Sequence, residues 1–362
     1  MSIDYRFEGW CGLDKEAVGN MKWQEYEPKP FTDHDVDIRI THCGMCGADL
    51  HTLRNGWGFT PYPCVVGHEI VGRAVRVGKN VDHVKVGDRV GVGAQADSCL
   101  KPDCEACADG QESYCPNTIS TFGSNWPDGS KSYGGYANYS RTAGRFIFRI
   151  PVELPSHEVG PMLCAGITVY APLKREGCGP GKKVGIIGLG GLGHFGVLFA
   201  KALGADKVVV ISRSNAKKED AKKLGADDFL ATSEEKGWDS GASRLSNSLD
   251  LIISTTSSPN MPLSGYLSLL KFRGQFIQVG APEDNLPGFN AFALLPKRAK
   301  IGGSIIGSRA EIREMLDFAV KKNIHPWIEL RPLQEANQAM MDLDAGKPRY
   351  RYCLVNENHE EF

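Results

Sequence analysis

The chain has 362 residues, 41% of them hydrophobic and 23% charged, with 42 basic and 43 acidic side chains for a net charge of -1. That length fits two domains of ordinary size, and the composition excludes disorder over most of the chain. Near-neutral charge argues against a protein that tracks nucleic-acid phosphates, so no nucleic-acid partner is expected.

Met1 to Trp10 is polar and lacks the apolar core of a secretory signal. Short β-branched runs with glycine turns at 36–40, 65–77, 86–92 and 146–150 predict a strand-rich domain over 1–156. Within it, CGMCGADLH runs from Cys43 to His51, and GHE from Gly67 to Glu69. Further along, Cys164 opens CAGIT. Two cysteines and one histidine form a zinc-ligand set that leaves a fourth position for a reacting molecule. Spacing by itself leaves open whether they converge.

The chain carries eleven cysteines, and four of them lie in SCLKPDCEACADGQESYC. Cys99, Cys104, Cys107 and Cys115 follow the pattern C-x4-C-x2-C-x7-C. Four thiolates on one polar loop close a tetrahedron around Zn²⁺ and staple a segment that has no helix or strand periodicity. Cys11, Cys43, Cys64, Cys178 and Cys353 read as buried apolar filler.

Residues 157–296 alternate strands with helices: 183–188, 190–203, 207–211, 215–224, 250–254, 262–271 and 274–279. That alternation predicts a doubly wound parallel sheet, so the fold class is α/β. The apolar run 184–200 is short for a membrane span and holds six glycines, which favours strand, turn and helix. The turn is Gly188-Leu189-Gly190-Gly191-Leu192-Gly193, in which Gly188, Gly190 and Gly193 fit G-x-G-x-x-G. Its glycines let the backbone approach a pyrophosphate at the helix N-terminus. The following strand ends in Ser212-Arg213-Ser214, then Lys217 and Lys218, with no acid before Glu219. A carboxylate there takes the ribose hydroxyls of NAD, whereas basic groups attract the 2′-phosphate of NADP. NADP(H) is therefore the expected cofactor. Residues 297–362 return to mixed structure, with a helix over 309–322 and a strand over 350–355 that rejoins the first domain. The end His359-Glu360-Glu361-Phe362 matches no lipidation or retention signal, so a cytoplasmic chain with no membrane partner is expected.

The two cysteine patterns, GHE, the glycine turn and the late stretch IIGSRAEIREMLDFA together resemble the medium-chain zinc alcohol dehydrogenases. Within them the chain is most similar to the NADP-dependent cinnamyl-alcohol-dehydrogenase-like branch of fungi and plants. The resemblance runs over nearly the whole chain. It implies a GroES-like catalytic domain from residues 1–156 and 297–362, a Rossmann domain over 157–296, and a homodimer. It implies catalytic zinc at Cys46, His68 and Cys164, a set for which alcohol dehydrogenase is itself the standard illustration, and a structural zinc at the four clustered cysteines. That makes two Zn²⁺ per chain. Glu69 resembles the residue that approaches the metal during ligand exchange, and Asp49 the acid that orients the histidine ligand. Thr168 would lie by the nicotinamide, with Thr255, Gly280, Ser304, Ile305 and Ile306 as further contacts. Ser212, Arg213 and Lys217 would hold the 2′-phosphate. The implied activity is hydride transfer between NADP(H) and a small-molecule alcohol or aldehyde, with Trp57 and Phe59 favouring aromatic or medium-chain substrates.

Two departures stand out. The family spaces its structural cysteines C-x2-C-x2-C-x7-C, and here the first gap is four residues. The family also carries Ser or Thr two residues after the first zinc cysteine, as the start of a proton relay ending at His51. Here that residue is Ala48. A water route replaces the hydroxyl, or the natural reaction reduces a C=N or C=C bond instead. A zinc- and NADPH-binding protein with little turnover is the reading outside the enzymes.

Overall fold

The computed structural model describes residues 4–359. The readings made at Met1 to Ile3 and at Glu360 to Phe362 lie outside it. The chain forms two compact units, one of Met1–Cys164 and Gly307–Phe362, the other of Ala165–Ile306.

In the first unit, Asp35–Gly44 is the central strand of a seven-stranded sheet. Ile70–Val77 pairs antiparallel on one side of it and Arg351–Val355 on the other. The C-terminal strand expected over 350–355 does rejoin this domain. It also pairs parallel with Ile328–Pro332, an element the sequence pattern did not disclose. Inward residues Val36, Ile38, Ile40, Val90 and Leu354 form one buried cluster. The run 65–77 is broken at 66–69, where Gly67 takes φ +100°. Val86, placed in a strand over 86–92, is instead 63% exposed ahead of Gly87, and the strand is Arg89–Val92.

The second unit holds a six-stranded sheet in the order Asp228–Ala231, Lys207–Ser212, Lys183–Ile187, Leu249–Ser254, Leu270–Gln278, Lys300–Gly303. Every pairing is parallel. This is the 3-2-1-4-5-6 order of the Rossmann fold. Strands buried on both faces need near-continuous apolar runs, and KVVVIS and LDLIIS supply them.

The division falls at 164/165 and 306/307 rather than at the expected 156/157 and 296/297. The physical reason at the second boundary is Lys300–Gly303, which completes the parallel sheet beside Leu270–Gln278. At the first, the Ser156–Pro161 helix packs against Asp35–Gly44 and Ile70–Val77 of the first unit.

Candidate functional site

Asp35–Gly44 runs into the short helix Gly47–Leu53, with Cys46 at the N-cap. Asp49 Oδ2 accepts the Cys46 N–H at 2.8 Å, satisfying a donor that the helix start leaves unpaired. The same carboxylate accepts from Gly67 N at 3.0 Å and from the Tyr136 hydroxyl at 3.0 Å. Its Oδ1 stands 3.7 Å from His68 Nδ1. One buried acid thus ties the cysteine turn to the GHE turn and faces the far side of the imidazole. Sequence reasoning nominated Asp49 and missed Tyr136, which carries no motif.

His68 Nε2 lies 3.0 Å from Cys164 Sγ, and Cys46 Sγ lies 4.0 Å from Cys164 Sγ. Cys164 sits on a π-helical turn, Met162–Gly166, a distortion that often re-aims a functional side chain. The donor atoms of Cys46, His68, Glu69 and Cys164 all lie within 4.8 Å of one another, and all four residues are buried. Their protonation is tightly interdependent. The hydrogen bond from Cys164 holds the Cys46 thiol well below its ordinary range, and the same bond pushes Cys164 up. Burial lowers the His68 pKa, but its hydrogen bond with Cys46 and the nearby Asp49 charge outweigh that and raise it to about 9. Burial raises Glu69 to about 7 against the opposing Arg351 charge. Arg351, buried on the last strand, pairs with Glu69. The signal for it was one charge in the otherwise apolar run RYCLV.

A tetrahedral ion bound at about 2.0–2.3 Å needs donors roughly 3.3–3.8 Å apart. The separations of 3.0 and 4.0 Å bracket that range, so two thiols and an imidazole close on zinc with shifts of a few tenths of an ångström, and Glu69 is a fourth donor in reach. The clustered cysteines fit as well: all four thiols lie within 4.8 Å of one another. Individual Sγ separations are 3.4 Å for Cys115–Cys99, 3.7 Å for Cys99–Cys107 and 3.8 Å for Cys104–Cys115. The longer first gap is absorbed by a loop at 100–103, where Leu100 takes φ +48°. Of the five remaining cysteines, Cys11, Cys43, Cys64 and Cys353 are buried and Cys178 is half-buried.

His51 and Trp57 lie side by side, ring centroids 5.0 Å apart, and Phe59 stacks beyond Trp57 at 6.3 Å. Phe59 is 70% exposed, so it is not core packing. Arg54 Nη2 stands 3.2 Å from His51 Nδ1. A guanidinium only donates, so Nδ1 accepts and Nε2 carries the proton of the neutral ring. Ala48, half-buried on the same helix, presents only a methyl group.

In the second unit, Gly188 takes φ +85° and any Cβ on Gly193 would overlap the Gly188 carbonyl, which accounts for both glycines. At Gly190 an added Cβ would meet nothing within 4 Å, so the turn offers space and bare backbone to a diphosphate. Thr255, just past the Leu249–Ser254 strand, shares its one hydroxyl proton between the Ile187 and Gly188 carbonyls at 2.8 and 3.0 Å and so buttresses the turn. Lys217 Nζ donates to the Leu189 carbonyl at 2.7 Å, so this amine is fixed beside the turn. Ser212 ends the second strand, with exposed Arg213 after it. Ser304 N donates to Gln278 O at 3.0 Å, beside Ile305 and Ile306. Gly280 lies against Thr256. Thr168 is buried in the Ile167–Arg175 helix. These residues fit a dinucleotide carrying an extra phosphate.

Residues 32–152 match the alcohol dehydrogenase GroES-like domain, and residues 191–321 the zinc-binding dehydrogenase domain. The chain is 42% identical to the NADP-dependent alcohol dehydrogenase 6 of Saccharomyces cerevisiae, over 99% of both chains. It is 44% identical to cinnamyl alcohol dehydrogenase 2 of Rauvolfia serpentina, over 96% of this chain and 94% of that one. A solved cinnamyl alcohol dehydrogenase of Sorghum bicolor superposes with a TM-score of 0.90 at 37% identity, covering 99% of this chain and 100% of that one.

Proposed function

Because the chain belongs to the zinc-binding alcohol dehydrogenases with a GroES-like domain, we propose that Cys46, His68 and Cys164 hold its catalytic zinc and that Cys99, Cys104, Cys107 and Cys115 hold a structural one. The protein is an NADP(H)-dependent oxidoreductase that moves a hydride between an alcohol and an aldehyde. The observation that carries the site reading is the meeting of two buried thiols and an imidazole from segments up to 118 residues apart.

When bound, zinc supplies Lewis-acid polarisation of the carbonyl and NADPH supplies the hydride. The chain's own residues do the rest. Asp49 fixes the Cys46 main chain and faces the His68 ring, so the donors are held before substrate arrives. Lys217, Ser212 and Arg213 attract the 2′-phosphate, and the glycine turn takes the diphosphate. His51 holds a transferable proton on Nε2. Trp57 and Phe59 offer flat apolar surface to an aromatic or medium-chain aldehyde.

The test is NADPH oxidation by zinc-replete protein with cinnamaldehyde-type substrates, run beside NADH and repeated with Ala48→Ser. A charge-assisted contact to the phosphate is worth ~1.5–3 kcal/mol, so kcat/KM with NADPH should exceed that with NADH about 10- to 100-fold. With a water standing in for the relay hydroxyl, Ala48→Ser should leave turnover nearly unchanged. A rise on the order of 10²-fold would show that the missing hydroxyl limits aldehyde reduction. Together with bound NADPH but negligible wild-type turnover, it would favour reduction of a C=N or C=C bond, the second reading that Ala48 supports.

An exposed sheet edge supports a homodimer. Lys300–Gly303 is an end strand with an exposed backbone edge, and Phe292, Leu295 and Ile305 on the same unit are 73%, 66% and 53% exposed. An open edge beside apolar side chains invites a second copy. Sedimentation should give twice the chain mass, and Phe292→Lys with Leu295→Lys should give the monomer; a monomeric wild type sinks the idea. Among the described residues no helix is long and apolar enough to cross a membrane. A cytoplasmic location suits two thiolate clusters, which a reducing compartment preserves, and cell fractionation tests it.

A further inference from the structure

Glu69 is fully buried, and its two carboxylate oxygens are used differently. Oε1 accepts from Arg351 Nη2. Oε2 has no hydrogen-bond partner among the described residues. A Cβ added to Gly44 would overlap that Oε2 and stand 3.0 Å from the Cβ and Cδ of Glu69. The carboxylate thus occupies the volume that any larger residue at 44 would fill. The backbone does not demand glycine there, since Gly44 is an ordinary strand position paired with Cys353, outside the positive-φ glycines. The requirement is spatial.

The same carboxylate lies within 4.8 Å of the donor atoms of Cys46, His68 and Cys164. It has two destinations, the guanidinium and the fourth ligand position of the metal. We propose that Gly44 is a positioning residue: its missing side chain is the resting space that keeps the Glu69 carboxylate on Arg351 and off the metal, leaving the fourth position to substrate. The proposal rests on the three-residue cluster being the catalytic zinc site. Filling the space displaces Oε2. Arg351 is already engaged through Oε1, and a divalent ion attracts a carboxylate more strongly than a second contact to one guanidinium does. The displaced oxygen therefore goes to the metal, and an open site becomes a closed one.

The experiment uses Gly44→Ala with Co²⁺ in the catalytic site and imidazole as a neutral probe of the fourth position, read by visible absorption. NADPH affinity and metal content report integrity. The variant should keep two metal ions per chain, one for each donor cluster, and bind NADPH as wild type does. Its cobalt spectrum should differ before any probe is added. Imidazole should bind about tenfold more weakly or worse, and a chelator should remove the cobalt more slowly. Adding Glu69→Asp shortens the carboxylate by one methylene and should restore imidazole binding, which a merely structural defect would not allow. Should Gly44→Ala fail to fold, Arg351→Gln releases the carboxylate from the other side and should close the site in the same way. Unchanged imidazole affinity in an intact Gly44→Ala or Arg351→Gln protein overturns the proposal, as does failure of Glu69→Asp to restore it. A wild type that holds only one metal ion per chain fails the underlying site assignment instead, and that result is separate.

Discussion

Replacing Cys164 with serine should abolish hydride transfer while leaving the chain folded. Cys164 Sγ lies 3.0 Å from His68 Nε2 and 4.0 Å from Cys46 Sγ, so it completes the three-donor set. A serine hydroxyl in a buried site does not ionise at neutral pH and is a poor zinc ligand beside a thiolate. Lewis-acid stabilisation by the metal is worth several kcal/mol, and each 1.36 kcal/mol is tenfold in rate, so kcat/KM should fall by about 10³ or more. Zinc content should drop by one ion per chain, because the four-cysteine cluster is untouched. NADPH binding should survive, because the glycine turn and its Lys217 contact belong to the other unit. A variant that loses one zinc yet keeps a tenth of the activity would show that this cluster is not the catalytic centre.

Cys107→Ser carries the second large effect, and it falls on stability. The segment around it has little core of its own. Its helix, Glu105–Ala108, is one turn long and buries no residue. Cys104 and Cys107 are half-buried, and only Cys115 of the four is buried. Protons compete with the metal for the thiolates. A hydrogen bond from the Lys101 backbone pulls Cys99 to about 7, whereas burial pushes Cys107 up to about 12. If the zinc leaves with that thiolate, its binding free energy is lost, about 10–16 kcal/mol in isolated zinc-finger peptides and comparable to the ~5–15 kcal/mol stability of a whole domain. Part of that energy is spent in ordering the loop, so the net loss is smaller.

The damage should reach beyond the loop. Glu112, at its far end, accepts from Arg309 N and Nε at 2.8 Å, and its carbonyl accepts from Gln95 Nε2 at 2.9 Å. Arg309 opens the Arg309–Lys322 helix next to its Ser308 cap. A net loss near 4 kcal/mol corresponds to roughly 10 °C in Tm for a domain of this size. Calorimetry should show that fall, and limited proteolysis should cut between 100 and 117 in the variant first. An unchanged Tm with one zinc lost would mean that the loop is held by its hydrogen bonds alone.

The fold was legible where the pattern is local. The run KVGII, the turn GLGGLG and the helix after it announce strand, phosphate turn and helix. They appear as Lys183–Ile187 and Gly193–Ala202, joined by the turn. The 309–322 helix is marked by Ser308 and Glu311, which form its capping box. The Ile328–Pro332 strand and the Ala336–Asp344 helix were not legible. The strand is short and half exposed, and the helix's nine residues mix two methionines with polar groups, so neither shows a clean period. The four-cysteine loop was legible as a site because its ligands lie within one short segment.

What the sequence determined by itself is therefore chemical and local: which donors exist, that a glycine turn joins a strand to a helix, and that basic groups replace the acid after the second strand. Only the tertiary structure decided which of these groups meet. Cys46 and Cys164 are 118 residues apart and Arg351 is 282 residues from Glu69. Lys217 reaches the glycine turn across 28 residues, and the space at Gly44 is filled by a carboxylate oxygen of Glu69, 25 residues on. Periodicity, caps and turns are set by neighbours along the chain, so a reader of the sequence sees them. Convergence is set by strand register and close packing. Both depend on the whole core closing at once, and no short window of residues encodes that.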